Sequence, residues 1–180
     1  MEEKLDVLNE FGEFTGKTAT REECRKNGFW HRAVYAFVID QNSNVLLQKR
    51  SSSKKLWPDK WDVTVGGHVD AGEFGRQALI RECKEELGID VKDNEIKYLV
   101  GSTSVYKTKD FINNHYDECY LITKDIDISK LKLQKEEVSE VKYFPREELL
   151  KRIDNDYDGL TKKTVSWHFM KKILENQAIN

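Results

Sequence analysis

Residues 66–89 read GGHVDAGEFGRQALIRECKEELGI, and how this stretch divides decides the fold. Leu79, Cys83 and Leu87 recur every four residues, which predicts an amphipathic helix over 74–87 with one face to bury. Gly88 stands where such a helix closes in the left-handed conformation. Glu82, Glu85 and Glu86 lie at i, i+3 and i+4, so their carboxylates converge on a neighbouring face. Like charges placed this way weaken a helix unless a cation compensates. Hard oxygen ligands at that density suit Mg²⁺ or Mn²⁺, which take few carboxylates and keep waters for a phosphate. An isolated Glu-x-x-Glu-Glu would more simply be a solvated acidic face, so the surrounding residues decide.

Upstream, residues 61–65 (WDVTV) read as a strand stopped by Gly66-Gly67. Residues 33–39 (AVYAFVI) are continuously apolar, as in a strand buried on both faces, and a turn at 40–44 leads into a second strand from Val45. Downstream, 96–107, 116–124 and 138–144 read as strands. Pro145 opens a short helix, and a last helix over about 160–176 carries Trp167, Met170, Ile173 and Leu174 on one stripe. Residues 4–18 read as a small hairpin. This irregular alternation predicts an α/β fold with a mixed sheet covered by helices. Within the hairpin, Gly12-Glu13-Phe14-Thr15-Gly16-Lys17-Thr18 has three residues between its glycines where a phosphate-binding P-loop has four, and it lacks the strand–loop–helix setting.

The spacing around the glutamates resembles the Nudix box, Gly-x5-Glu-x7-Arg-Glu-aliphatic-x-Glu-Glu-x-Gly-aliphatic. Gly67, Glu73, Arg81, Glu82, Glu85, Glu86 and Gly88 fill the fixed sites, and only Cys83 departs, where an aliphatic residue is usual. The resemblance implies a Nudix-type α/β/α sandwich with a mixed sheet, residues 29–180 being the hydrolase domain and 1–28 an N-terminal hairpin extension. It implies a Mg²⁺- or Mn²⁺-dependent pyrophosphohydrolase that cleaves a phosphoanhydride by water attack, on a nucleoside diphosphate derivative or related organic diphosphate. Glu82, Glu85 and Glu86 then serve as metal ligands and catalytic groups, and the Gly67 carbonyl joins the metal shell. Glu73 and Arg81 bridge loop to helix. Lys49, Arg50, Lys54 and Lys55 precede the box, and Arg50 and Lys54 are the candidates to hold phosphate.

The stretch from Trp30-His31-Arg32-Ala33 through Lys54-Lys55-Leu56-Trp57-Pro58 to Gly67-His68 is similar to isopentenyl-diphosphate isomerase and its hydrolase-like relatives. The isomerase carries a catalytic cysteine where this chain has Gly66, and its later glutamate pair is matched only imperfectly by Tyr116-Asp117-Glu118. Its metal site uses histidines. His31 and His68 match two of them, and Cys24 falls near the third. With the Nudix glutamates intact, hydrolysis is the expectation. An isomerase and a Nudix-fold binding module without turnover are the alternatives. His31 and His68 join the substrate-binding candidates. Trp57 and Trp61 could stack on a base but read as core anchors, and Glu118, Glu137 and Glu140 are candidate late-loop carboxylates, with Glu137 read as surface. Residues 104–117 and 150–162 are the expected variable walls.

The chain has 180 residues, with 30 Lys plus Arg against 32 Asp plus Glu and a net charge of −2. That balance argues against general nucleic-acid binding and against a polybasic membrane anchor. The charge is nevertheless uneven: residues 49–60 hold five basic residues and one acidic, residues 67–90 six acidic and three basic. A small diphosphate fits between such patches. The charged N-terminus does not read as a leader sequence, no apolar run reaches a membrane span, and Cys24, Cys83 and Cys119 form no paired motif. A cytoplasmic protein is expected, and a homodimer is compatible with the sequence.

Overall fold

In the computed structural model, which describes residues 3–162 and 164–176, nine strands and four α-helices follow one another among the described residues. They are β1 (Lys4–Leu8), β2 (Phe14–Thr20), α1 (Arg21–Asn27), β3 (Trp30–Ile39), β4 (Val45–Arg50), β5 (Trp61–Asp62), β6 (Val65–His68), α2 (Gly75–Leu87), β7 (Ile96–Lys107), β8 (Ile112–Thr123), β9 (Val138–Phe144), α3 (Arg146–Asp154) and α4 (Thr164–Glu175). Met1 and Glu2 of the charged N-terminus, and 177–180 of the expected hydrolase domain, lie outside the described residues.

β3 is the middle of one mixed sheet. It runs parallel to β8 from Trp30↔Asn114 to Ile39↔Thr123. Its other edge pairs antiparallel with β6, from Ala33↔His68 to Ala36↔Val65, and further along with β4 at Val38↔Leu46. Successive side chains of a strand point to opposite faces. Val34, Ala36 and Val38 therefore pack with Ala78, Leu79, Cys83 and Leu87 of α2, while Phe37 and Ile39 pack with Leu149 of α3 and with Trp167 and Met170 of α4. The continuous apolar run of β3 is what a strand covered by helices on both faces requires, and the α/β/α sandwich follows.

Two readings are corrected. The predicted strand 61–65 is broken: the Thr64 hydroxyl accepts from the Val38 N–H at 2.8 Å and donates to the Leu46 carbonyl, standing in for ladder bonds where β3 and β4 diverge. The glycines do not stop a strand either. Gly66 and Gly67 lie inside β6, opposite Tyr35 and Val34.

β1 and β2 form the expected hairpin, and Leu8 pairs with Trp30, which ties it to the main sheet. The sequence reading missed α1. Thr20 caps it and Glu23 returns the bond to the Thr20 N–H, a capping box legible as Thr-x-x-Glu. Gly28 closes it at φ 67°, buried Cys24 packs with Leu5, Val7 and Ala19, and Asn114 Nδ2 donates to the Gly28 carbonyl at 2.8 Å. The short helix is thereby fixed against β8. No helix among the described residues is long and apolar enough to cross a membrane.

Candidate active site

α2 presents its carboxylates unequally. Its apolar stripe is buried against the sheet, and Glu86, on the edge of that stripe, is only 4% exposed. Gln48 Nε2 of β4 donates to Glu86 Oε2 at 3.2 Å, and the Gly66 N–H points to the same oxygen at 3.5 Å. Burial, then the charges of Glu82 and Glu137, push the Glu86 carboxyl up to about 8. Burial also pushes Glu82 up, despite Arg81 beside it. Glu85 lies further out, its side chain 54% exposed. Glu82, half-buried and paired with Arg81, and buried Glu86, which has no cation beside it among the described residues, thus form an acidic pair short of positive charge. A divalent cation with oxygen preference fits that deficit, and Glu82, Glu86, the more open Glu85 and the Gly67 backbone are the groups able to hold it.

Gly67 is required for a steric reason. Its φ is not positive, so no left-handed turn depends on it. A Cβ built there would fall inside the Glu82 carboxylate. At Gly66, an added Cβ would come 2.8 Å from Tyr35 Cδ1.

Arg81 and Glu73 are brought together. Arg81 Nη2 donates to Glu73 Oε2 at 2.9 Å and to the His68 carbonyl at 3.0 Å, and its Nη1 reaches Glu82 Oε1 at 2.8 Å and Glu85 Oε2 at 3.2 Å. One guanidinium therefore spans the loop, the end of β6 and the helix.

The basic residues ahead of the box are already matched. Arg50 pairs with buried Asp62 at 3.1 Å, and Lys54 pairs with Glu137. Glu137, expected at the surface, instead lines the cavity and bears on Glu86. Glu140 stays exposed beside Lys49, and Glu118 takes a hydrogen bond from the Tyr120 hydroxyl and packs against Gly75. Trp57 stacks edge-on with Tyr106 at 5.4 Å on the cavity wall, whereas Trp61 packs on Phe144.

His31 and His68 meet His115, which the sequence reading did not single out. The strand register explains the meeting: β3, β6 and β8 are neighbours, with His31 opposite His115 and His68 opposite Ala33. The three rings are buried and their ligand atoms lie within 4.8 Å of one another. His31 Nδ1 lies 2.9 Å from the Phe29 carbonyl, which can only accept, so Nδ1 holds the proton and Nε2 keeps a free lone pair. Burial and the neighbouring His115 push His31 down to about 4, and burial holds His68 well below its ordinary value. His31 Nε2, His115 Nε2 and Asp117 Oδ1 are buried without a hydrogen-bond partner. Imidazoles so arranged are a second place able to take a metal, of softer type than Mg²⁺.

Glu82, Glu85, Glu86, Gly67, His68 and His115, with Arg50 and Lys54, line one cavity of about 760 Å³, whereas His31 is fully buried behind it and Glu73 lies outside its lining. That volume suits a ligand of nucleotide size. Residues 103–106, with 113, 115 and 117, form one wall, within and beside the expected variable segment 104–117, and Lys162 contributes at the end of the other.

The model of the NUDIX domain matches residues 29–164. Nudix hydrolase 3 of Arabidopsis thaliana is 39% identical over 152 residues, covering 82% of this chain and 20% of that protein, so the chain spans about a fifth of that relative's length. An uncharacterised Nudix hydrolase of Listeria monocytogenes is 37% identical over 147 residues, covering 82% of each. Among solved structures, a Deinococcus radiodurans protein superimposes with a TM-score of 0.67 at 23% identity, covering 97% of this chain and 98% of that one.

Proposed function

The chain belongs to the NUDIX domain family of hydrolases acting on phosphorus-containing anhydrides, and from that premise we propose that it is a Mg²⁺- or Mn²⁺-dependent pyrophosphohydrolase of a small organic diphosphate, a nucleoside diphosphate derivative or a related compound. The observation that carries this is buried Glu86 beside half-buried Glu82, set over the Gly66–Gly67 backbone at the cavity wall. Residues 29–180 are the hydrolase domain and 1–28 the extension. Three free, buried cysteines are consistent with a reducing cytoplasm.

Glu82, Glu85, Glu86 and the Gly67 carbonyl would hold the cation. When bound, it supplies charge neutralisation for the phosphoryl oxygens and polarises the attacking water. The water oxygen forms the new P–O bond, the bridging P–O bond breaks, and its electron pair leaves with the departing phosphate. A carboxylate of the Glu82–Glu85–Glu86 group takes the water's proton. Glu86 suits proton traffic near neutrality, since burial and its acidic neighbours place it at about 8 without a cation. Arg81 holds Glu82 and Glu85 in register and does not itself meet the reacting atoms.

Isomerisation is disfavoured by the same wall. Gly66 offers no thiol, and Tyr35 occupies the space a side chain there would need. The test is a panel of nucleoside diphosphate derivatives and isoprenoid diphosphates with Mg²⁺, scored for released phosphate or nucleotide and, with isopentenyl diphosphate, for double-bond migration. Hydrolysis without migration is expected. Efficient migration without hydrolysis would overturn the reading.

A further inference from the structure

Six cationic side chains line the cavity: Arg21, Arg25, Arg50, Lys54, Arg81 and Lys162. Four are held by carboxylates of the protein: Arg50 by Asp62, Lys54 by Glu137, Arg81 by Glu73, and Lys162 by Asp156 at 2.9 Å. Arg21 and Arg25 differ. Neither makes an ion pair among the described residues, and the Nε of each is buried with no hydrogen-bond partner. They stand four apart on α1, so both guanidinium groups leave the helix on one side. Arg25 also lies over the Phe111 ring at 5.6 Å, which orients it without neutralising it.

Two like charges held side by side in partial burial are unfavourable unless an anion joins them. Burial, then Arg21, push the Arg25 guanidinium down to about 10. Glu3 is the carboxylate whose charge opposes this, but it makes no ion pair with either arginine among the described residues, its Oε1 lying 3.3 Å from His68 Nδ1. The capping box, the Gly28 closure and the Asn114 bond fix α1 where it is, so the arginines face the cavity as a preformed pair.

We infer that Arg21 and Arg25 form an anion subsite that receives a phosphate group of the substrate, so that the N-terminal extension completes the active site. This rests on the hydrolase reading for the identity of the anion. A phosphate matches the pair in charge, and its oxygens match the fork geometry of two guanidinium groups. Arg50 and Lys54, the cations legible from the sequence, would first have to leave Asp62 and Glu137.

The test is calorimetric titration of the full chain with methylenediphosphonate, a non-hydrolysable P–C–P probe, in EDTA. Arg21→Gln and Arg25→Gln are each expected to weaken binding about 10-fold and the pair about 100-fold, the scale of charge-assisted hydrogen bonds. Lysine at both positions keeps the charge and is expected to stay within about 10-fold of wild type. Unchanged affinity in the glutamine pair, or no binding by wild type, overturns the subsite. If the glutamine pair fails to fold, the arginine Nε resonances of the wild-type protein replace it. Those of Arg21 and Arg25 must move on adding the probe, and stationary ones overturn the proposal. The two readings fail separately. Arginine-independent probe binding beside intact hydrolysis rejects the subsite alone, and arginine-dependent binding without hydrolysis of any panel compound rejects the hydrolase alone.

Discussion

Gly67 and the Glu82 carboxylate share one volume: a Cβ on the glycine would stand where the carboxylate lies. Close approach of helix to strand at this point sets the Glu82 carboxylate directly against the Gly67 backbone. Gly67→Ala must push Glu82 aside. A drop in kcat of about 100-fold is expected, the scale of a 1 Å misplacement, with a higher Mg²⁺ concentration for half-maximal rate. Fold stability should fall by only about 1–3 kcal/mol, as for other overpacked sites. Steady-state kinetics across a Mg²⁺ titration, with thermal melting, read both.

Arg81→Lys keeps a charge but cannot span Glu73, Glu82, Glu85 and the His68 carbonyl at once. Because Arg81 positions the carboxylates, kcat should fall by about 10- to 100-fold while KM changes little. An equal loss in both would place Arg81 on the substrate instead.

The cation-free protein should have a stability maximum near pH 6.5. Glu86 is raised to about 8 in the fold against 4.5 unfolded, so between these values the folded state holds the extra proton and stability falls as pH rises. His31 is lowered to about 4 against 6.5, and His68 is lowered too, so as pH falls below 6.5 the unfolded state gains protons first and stability falls again. Melting in EDTA from pH 4.5 to 8.5 reads the curve. Glu86→Gln should flatten its alkaline side, and Mg²⁺ should raise Tm more at pH 8.5 than at pH 6, since the cation needs ionised carboxylates.

Much of this is legible in the sequence. The four-residue spacing of Leu79, Cys83 and Leu87 and the apolar run at 33–39 predicted α2 and β3, because each pattern reports burial directly. The box spacing put Glu73 with Arg81. What stayed hidden depends on contacts distant in sequence. His115 joins His31 only through the parallel register of β3 and β8, and Glu137 reaches the cavity only because β9 pairs with β4. Arg50 and Lys54 looked available because Asp62 and Glu137 are 12 and 83 residues away from them. Arg21 and Arg25 were overlooked for a different reason: the Thr20-x-x-Glu23 box and Gly28 did mark a helix, but a seven-residue helix gives too short a periodicity to notice.

The central claim is that the Glu82–Glu86 pair on α2 drives hydrolysis, and Glu86→Gln tests it most directly. The substitution keeps the shape and removes the charge, so the fold should melt no earlier than wild type. On the compound that the panel identifies, with saturating Mg²⁺, kcat is expected to fall at least about 100-fold, as for loss of a carboxylate that holds the cation and moves the proton. Turnover close to wild type in that variant would contradict the account.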